Sequence, residues 1–98
     1  MNAGWIGSVQ ALFVRVYGEG RGTAVCNVVI PAVLGDFRKT ALRAEPGRRI
    51  TEQYRTDDRR TDVTVTGRRE SRNGADACVV ERITVGGLPA ELSGELVL

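Results

Sequence analysis

Histidine is absent from this sequence of 98 residues. With it go the commonest general acid–base, the commonest metal ligand and the usual switch near neutral pH. Lysine occurs once, as Lys39, so a lysine-assisted nucleophile has a single candidate, and it falls on the polar side of the one segment with a clear helical period. The carboxylates are scattered, and Asp57-Asp58 stand in a turn-like stretch beside Arg59-Arg60. No catalytic residue, metal site or cofactor is expected from this inventory.

Cysteine is scarce. Cys26 and Cys78 are too few for a disulfide-built scaffold and too far apart for a zinc motif. Each lies in an apolar run and is expected as a buried thiol, with a bridge between adjacent strands as the alternative. Five aromatic residues leave the core to Val, Ile, Leu and Ala, and the prevalence of valine favours strands.

Long apolar runs are missing too. The longest, Val25 to Leu34, is interrupted by Asn27 and Pro31, so no membrane span and no membrane partner are expected. The first apolar run, Val9 to Val16, contains Gln10 and Arg15 and has no basic region before it, unlike a secretory leader. The expected address is intracellular. A virion is a second setting, by analogy with compact assembly subunits of this size. No small-molecule ligand is evident.

What is present is an ordinary globular balance, 42% hydrophobic and 27% charged, expected as a single domain over residues 1–98. In chain order, Gly4-Trp5-Ile6-Gly7 is a lead-in. Val9 to Tyr17 reads as a strand with Val9, Ala11, Phe13 and Tyr17 on one face and Leu12, Val14 and Val16 on the other. Gly18-Glu19-Gly20-Arg21-Gly22 reads as a hairpin loop leading into a second strand, Thr23 to Ile30. A phosphate-cradling reading of this loop is disfavoured, since it runs from strand to strand and lacks the Lys-Ser/Thr of a P-loop.

Pro31 to Ala44 carries the helical period through Val33, Leu34, Phe37, Ala41 and Leu42, and Glu45-Pro46-Gly47 stops it. Ile50 to Tyr54 alternates like a short edge strand. Asp57-Asp58-Arg59-Arg60 is a polar turn. Residues 61–85 then hold two β-branched runs around Asn73-Gly74, a strong hairpin signal.

A two-residue turn there sets Val65 against Arg82 and mixes the faces. A three-residue loop, Arg72-Asn73-Gly74, pairs Val63 with Ile83 and is the preferred reading, with a bulge near Val80–Glu81. Gly86-Gly87 closes the hairpin. The tail from Leu88 is broken by Pro89 and Ser93-Gly94 and is expected to end in a short strand. The fold class is therefore α+β and β-rich: a twisted antiparallel sheet or small partial barrel of five to six strands with one helix, in the order β-β-α-β-β-β.

The basic residues are thirteen arginines and Lys39. Doublets stand at Arg48-Arg49, Arg59-Arg60 and Arg68-Arg69, with Arg72 close behind. Residues 48–72 carry a net +3, residues 73–98 a net −3 and residues 1–47 a net +2, which agree with the chain's +2. This polarity suits a protein-binding or assembly subunit, most simply a homo-oligomer, in which the basic stretch 48–72 of one copy meets the acidic stretch 73–98 of another. The partner-binding candidates are Arg48, Arg49, Arg59, Arg60, Arg68, Arg69, Arg72 and Tyr54. The alternative is a small barrel that binds single-stranded nucleic acid, with the doublets on phosphates and Tyr54 as a stacking platform. A third reading pairs these charges within the fold or leaves them in water.

Asp62-Val-Thr-Val-Thr-Gly-Arg-Arg-Glu70 resembles a strand and turn of the α-crystallin domains of small heat-shock proteins. That resemblance implies a non-enzymatic role in holding unfolded clients. It covers about nine residues, and the segment after the hairpin is too short for that family's closing strands.

Overall fold

The computed structural model describes residues 4–92 and 95–98. Two helices, α1 (Gly4–Tyr17) and α2 (Glu19–Leu42), precede five strands: β1 (Arg49–Arg55), β2 (Asp62–Arg72), β3 (Ala75–Val85), β4 (Leu88–Ala90) and β5 (Leu96–Val97). All strand pairs are antiparallel. The sheet runs β1-β2-β3-β4, and β5 pairs with β3 on the same side as β4. Here α1 packs on β3 and β4, while α2 packs on β1, β2 and β3. The fold is α+β with an open sheet, so the partial barrel is not formed. Among the described residues no helix is long and apolar enough to cross a membrane.

The expected element order fails in the first third of the chain. Val9–Tyr17 and Thr23–Ile30, read as strands, are helical, and α2 continues through Pro31 to Leu42 as one helix of 24 residues. The physical reason lies in which residues are buried. Val9, Phe13 and Tyr17 recur every fourth residue, and Gly22, Cys26, Ile30, Val33, Phe37 and Ala41 recur every third or fourth. That is the stripe one helical face presents to a core, and tertiary packing of the stripe outweighs the strand preference of valine.

Pro31 removes one helical hydrogen bond, but both Pro31 and Asn27, four residues earlier, are exposed. The carbonyl left without its donor can be hydrated. The expected lead-in at Gly4–Gly7 is likewise the first turn of α1.

The presumed glycine loop is a helix–helix corner. Gly18, at φ 88°, donates its N–H to Val14 O (2.7 Å) and accepts from Gly22 N (2.8 Å), ending one helix and starting the next within a single residue. Gly22 then lies against the α1 backbone: a Cβ there would stand 2.7 Å from Val14 N. Gln10 Nε2 donates to Thr23 Oγ1 (3.0 Å) across the two helices.

The hairpin of β2 and β3 combines both sequence readings. Its turn is the two-residue one: Arg72 pairs with Ala75, and Asn73 (φ 54°) and Gly74 (φ 79°) are both left-handed. This corrects the three-residue loop. The bulge lies where it was expected, since Thr66 pairs with Arg82 and Gly67 with Val80, leaving Glu81 as the extra residue. It moves the register by one, so that Val65 meets Ile83 and Val63 meets Val85, all four in the core.

Gly67 sits beneath Phe37 of α2, where a Cβ would come within 2.9 Å of Cζ. Cys26 and Cys78 are free and buried, and burial pushes both thiols up from their ordinary value. The chain ends in the expected short strand, β5. The expected break at Ser93-Gly94 lies outside the described residues.

Candidate functional site at the β1 edge

Strand alternation divides the arginines before any site can form. On β2, Arg68, Glu70 and Arg72 point away from the helices, while Arg69 points toward them with Val63, Val65 and Gly67. The Arg68-Arg69 doublet therefore serves opposite faces of the sheet. Arg69 donates to the carbonyls of Leu42 (3.3 Å) and Ala44 (3.0 Å) at the end of α2 and to the Asp76 carboxylate (2.9 Å). It caps the helix.

Arg68 sits among three carboxylates on the open face: Glu70 (2.9 Å), Glu95 (2.9 Å) and Glu81 of the bulge. Arg72 holds Glu70 and, at 2.8 Å, Glu95, and Arg49 reaches Glu81 at 3.1 Å. The hydrogen bonds that Arg68 donates to Glu95 and Glu81 raise its guanidinium above its ordinary value. In return, Glu70 (chiefly through Arg72) and Glu95 (chiefly through Arg68) are held below theirs. Much of the complementarity between the basic and acidic stretches is thus made inside one chain. The nine residues that resemble an α-crystallin strand and turn all lie within the single strand β2.

The turn from β1 to β2 is built around Tyr17, the last residue of α1. Its hydroxyl donates to Asp58 Oδ1 (2.9 Å) and lies 3.1 Å from Thr56 Oγ1. Arg60 covers its ring at 4.9 Å, a cation–π contact that fixes this arginine in place. Asp58 Oδ1 also accepts from Thr56 Oγ1 (2.6 Å) and from the Arg60 N–H (3.0 Å), and these hydrogen bonds, Thr56 first, hold the carboxyl below its ordinary value. Arg59 occupies a left-handed position (φ 60°) and is exposed. On the open face Arg49, Arg68 and Arg72 stand together, each paired with Glu70, Glu81 or Glu95.

Arg48 and Arg49 stand at the start of β1 and Tyr54 near its other end, with Arg49 on the open face and Tyr54 on the helix side. This seven-residue strand is the free edge of the sheet, and α2 overhangs it. A hollow of about 350 Å³ lies between Val25, Val28 and Val29 of α2 and Thr56–Asp58. It adjoins a second, of about 210 Å³, lined by Ala32, Asp36 and Tyr54. A third, about 460 Å³, opens at the other end of β1 between Thr40, Arg43 and Arg48–Thr51. Val28 is 73% exposed, the most exposed of the large hydrophobic residues among those described. Burial, then the Glu52 and Asp36 carboxylates, pushes the Tyr54 phenol up to about 12, so its hydroxyl stays protonated.

Sequence reasoning assigned Val25, Val28 and Val29 to a strand, Thr23 to Ile30, and missed this surface. The signal that would have found it is the Gly22-Cys26-Ile30 spacing, which puts Val25, Val28 and Val29 off the buried stripe of a helix. No family model, curated protein or solved structure matches this chain.

Proposed function

We propose that this chain is a non-catalytic protein-binding or assembly subunit that works as an oligomer, with the β1 edge and the α2 face above it as the contact surface. The observation that carries this reading is the difference between the two edges of the sheet. On one side, β4 and β5 are three and two residues long, separated from each other, and β4 contains Pro89, all features that discourage strand addition. On the other, β1 is unbroken over seven residues and lies below the exposed Val28 and the half-buried Val25 and Val29 of α2. A partner that adds at β1 satisfies the open backbone groups and covers the valines in one step.

Sedimentation or native mass measurement over a wide concentration range tests the proposal. A species larger than the 10.6 kDa chain is expected, weakened by Val28→Glu. A strict monomer at high concentration, with no protein bound, overturns it. Retention on single-stranded DNA or RNA at low salt, lost when Arg48, Arg49, Arg59 and Arg60 are neutralised, would instead favour the nucleic-acid reading.

A further inference from the structure

We infer that the partner at the β1 edge is a second copy of the same chain, paired antiparallel about Gln53; the inference rests on the proposed role of that edge. The argument starts from symmetry. Two copies whose α2 helices lie on the same side of a continuous sheet are related by a two-fold axis perpendicular to that sheet. Residues opposite each other in an antiparallel pair share a face, so the axis must pass through a residue, not between two. Thr51, Glu52 and Gln53 are the centres that keep most of β1 paired.

Charge separates the three. An axis at Glu52 sets Glu52 against its own copy and Arg49 against Arg55, like charges at every ionic position, which is destabilising. An axis at Thr51 sets Arg49 against Gln53 and Arg48 against Tyr54, and brings no opposite charges together. An axis at Gln53 sets Glu52 against Tyr54 within the paired strands and brings Arg48-Arg49, at the start of β1, to the Asp57-Asp58 turn that follows β1 in the other copy, twice each. The segment from Arg48-Arg49 to Asp57-Asp58 is a charge pattern complementary to its own reverse.

The groups are also available. Arg48 and Asp57 are exposed and make no ion pair among the described residues. Asp58 makes its contacts with Tyr17, Thr56 and Arg60 through Oδ1, leaving Oδ2. Arg49 meets Glu81 through Nε and keeps its two terminal nitrogens. The Tyr54 hydroxyl remains a donor for Glu52 of the other copy. Each copy's Val28, beside its own Thr56–Asp58, would lie near the Arg48-Arg49 end of the other copy's strand.

Cysteine cross-linking reads the register directly. Gln53 is exposed, and at the axis its Cα would lie about 4.5–5.5 Å from its own copy, within disulfide reach. Gln53→Cys is therefore expected to give a disulfide-linked dimer on mild oxidation. Thr51→Cys is not, because its two copies would be about 14 Å apart, and Glu52→Cys is not. The native thiols are buried and do not compete.

Charge reversal gives an independent reading. Arg49→Asp and Asp57→Arg should each weaken self-association by about tenfold or more, and an equimolar mixture should recover a heterodimer. An associated species that cross-links through position 51 or 52, or through none of the three, overturns this register while leaving the proposed function standing. So does a mixture that recovers nothing. A monomer throughout overturns both.

Discussion

Arg69 donates to Leu42 O, Ala44 O and Asp76, so its guanidinium ends α2 and is spent inside the molecule. Arg69→Met leaves those carbonyls and Asp76 without their donor. It should cost about 2 kcal/mol, from the loss of charge-assisted hydrogen bonds. Arg59→Ala, at an exposed turn, should stay within about 0.5 kcal/mol; denaturant melts of the two variants check the contrast. Glycines divide in the same way. Gly22→Ala forces a methyl against the α1 backbone and should destabilise by about 1–3 kcal/mol. Gly35→Ala meets nothing within 4 Å in a helix interior and should stabilise by about 0.5–1 kcal/mol. At this scale the sequence showed the Arg68-Arg69 doublet but could not say which face each arginine would take. Adjacent residues on a strand point apart, and only the structure shows that Arg68 and Arg69 lie on one.

At the scale of elements, what could be read was what is local. Asn73-Gly74, Gly86-Gly87, the alternation at Ile50–Tyr54 and the bulge near Glu81 each rest on turn chemistry or period-two patterning within a few residues. Helices α1 and α2 were hidden because valine and isoleucine fill both a strand and a buried helical stripe. A further cause was Gly18–Gly22, whose glycines serve a sharp corner and a close helix contact, not a loop.

The charge network joins elements that are far apart in sequence: Arg49 at the start of β1, Arg68, Glu70 and Arg72 on β2, Glu81 on the bulge and Glu95 just before β5. Glu70 and Glu95 are held below their ordinary value of 4.5. Between the folded and ordinary values the unfolded chain binds more protons than the folded one. Their stabilising contribution is therefore complete above pH 4.5 and is lost as pH falls through the lower folded values. The Tm should decline on acidification below that point, and Glu95→Gln should flatten the decline.

For the whole molecule, the internal pairing of basic and acidic stretches moves the search for a partner surface from the charged open face to the opposite side of β1. There the long edge strand has Arg48 at one end and the exposed Val28 and Asp57 at the other, and neither Arg48 nor Asp57 makes an ion pair among the described residues. The central claim is that this edge is covered by another chain. Amide hydrogen exchange across residues 49–55, measured at low and high protein concentration, tests it most directly. The account predicts that alternate amides of β1, those pointing away from β2, exchange fast when dilute and become protected as concentration rises, while the amides of β4 do not change. Exchange at β1 that is equally fast at every concentration would contradict it.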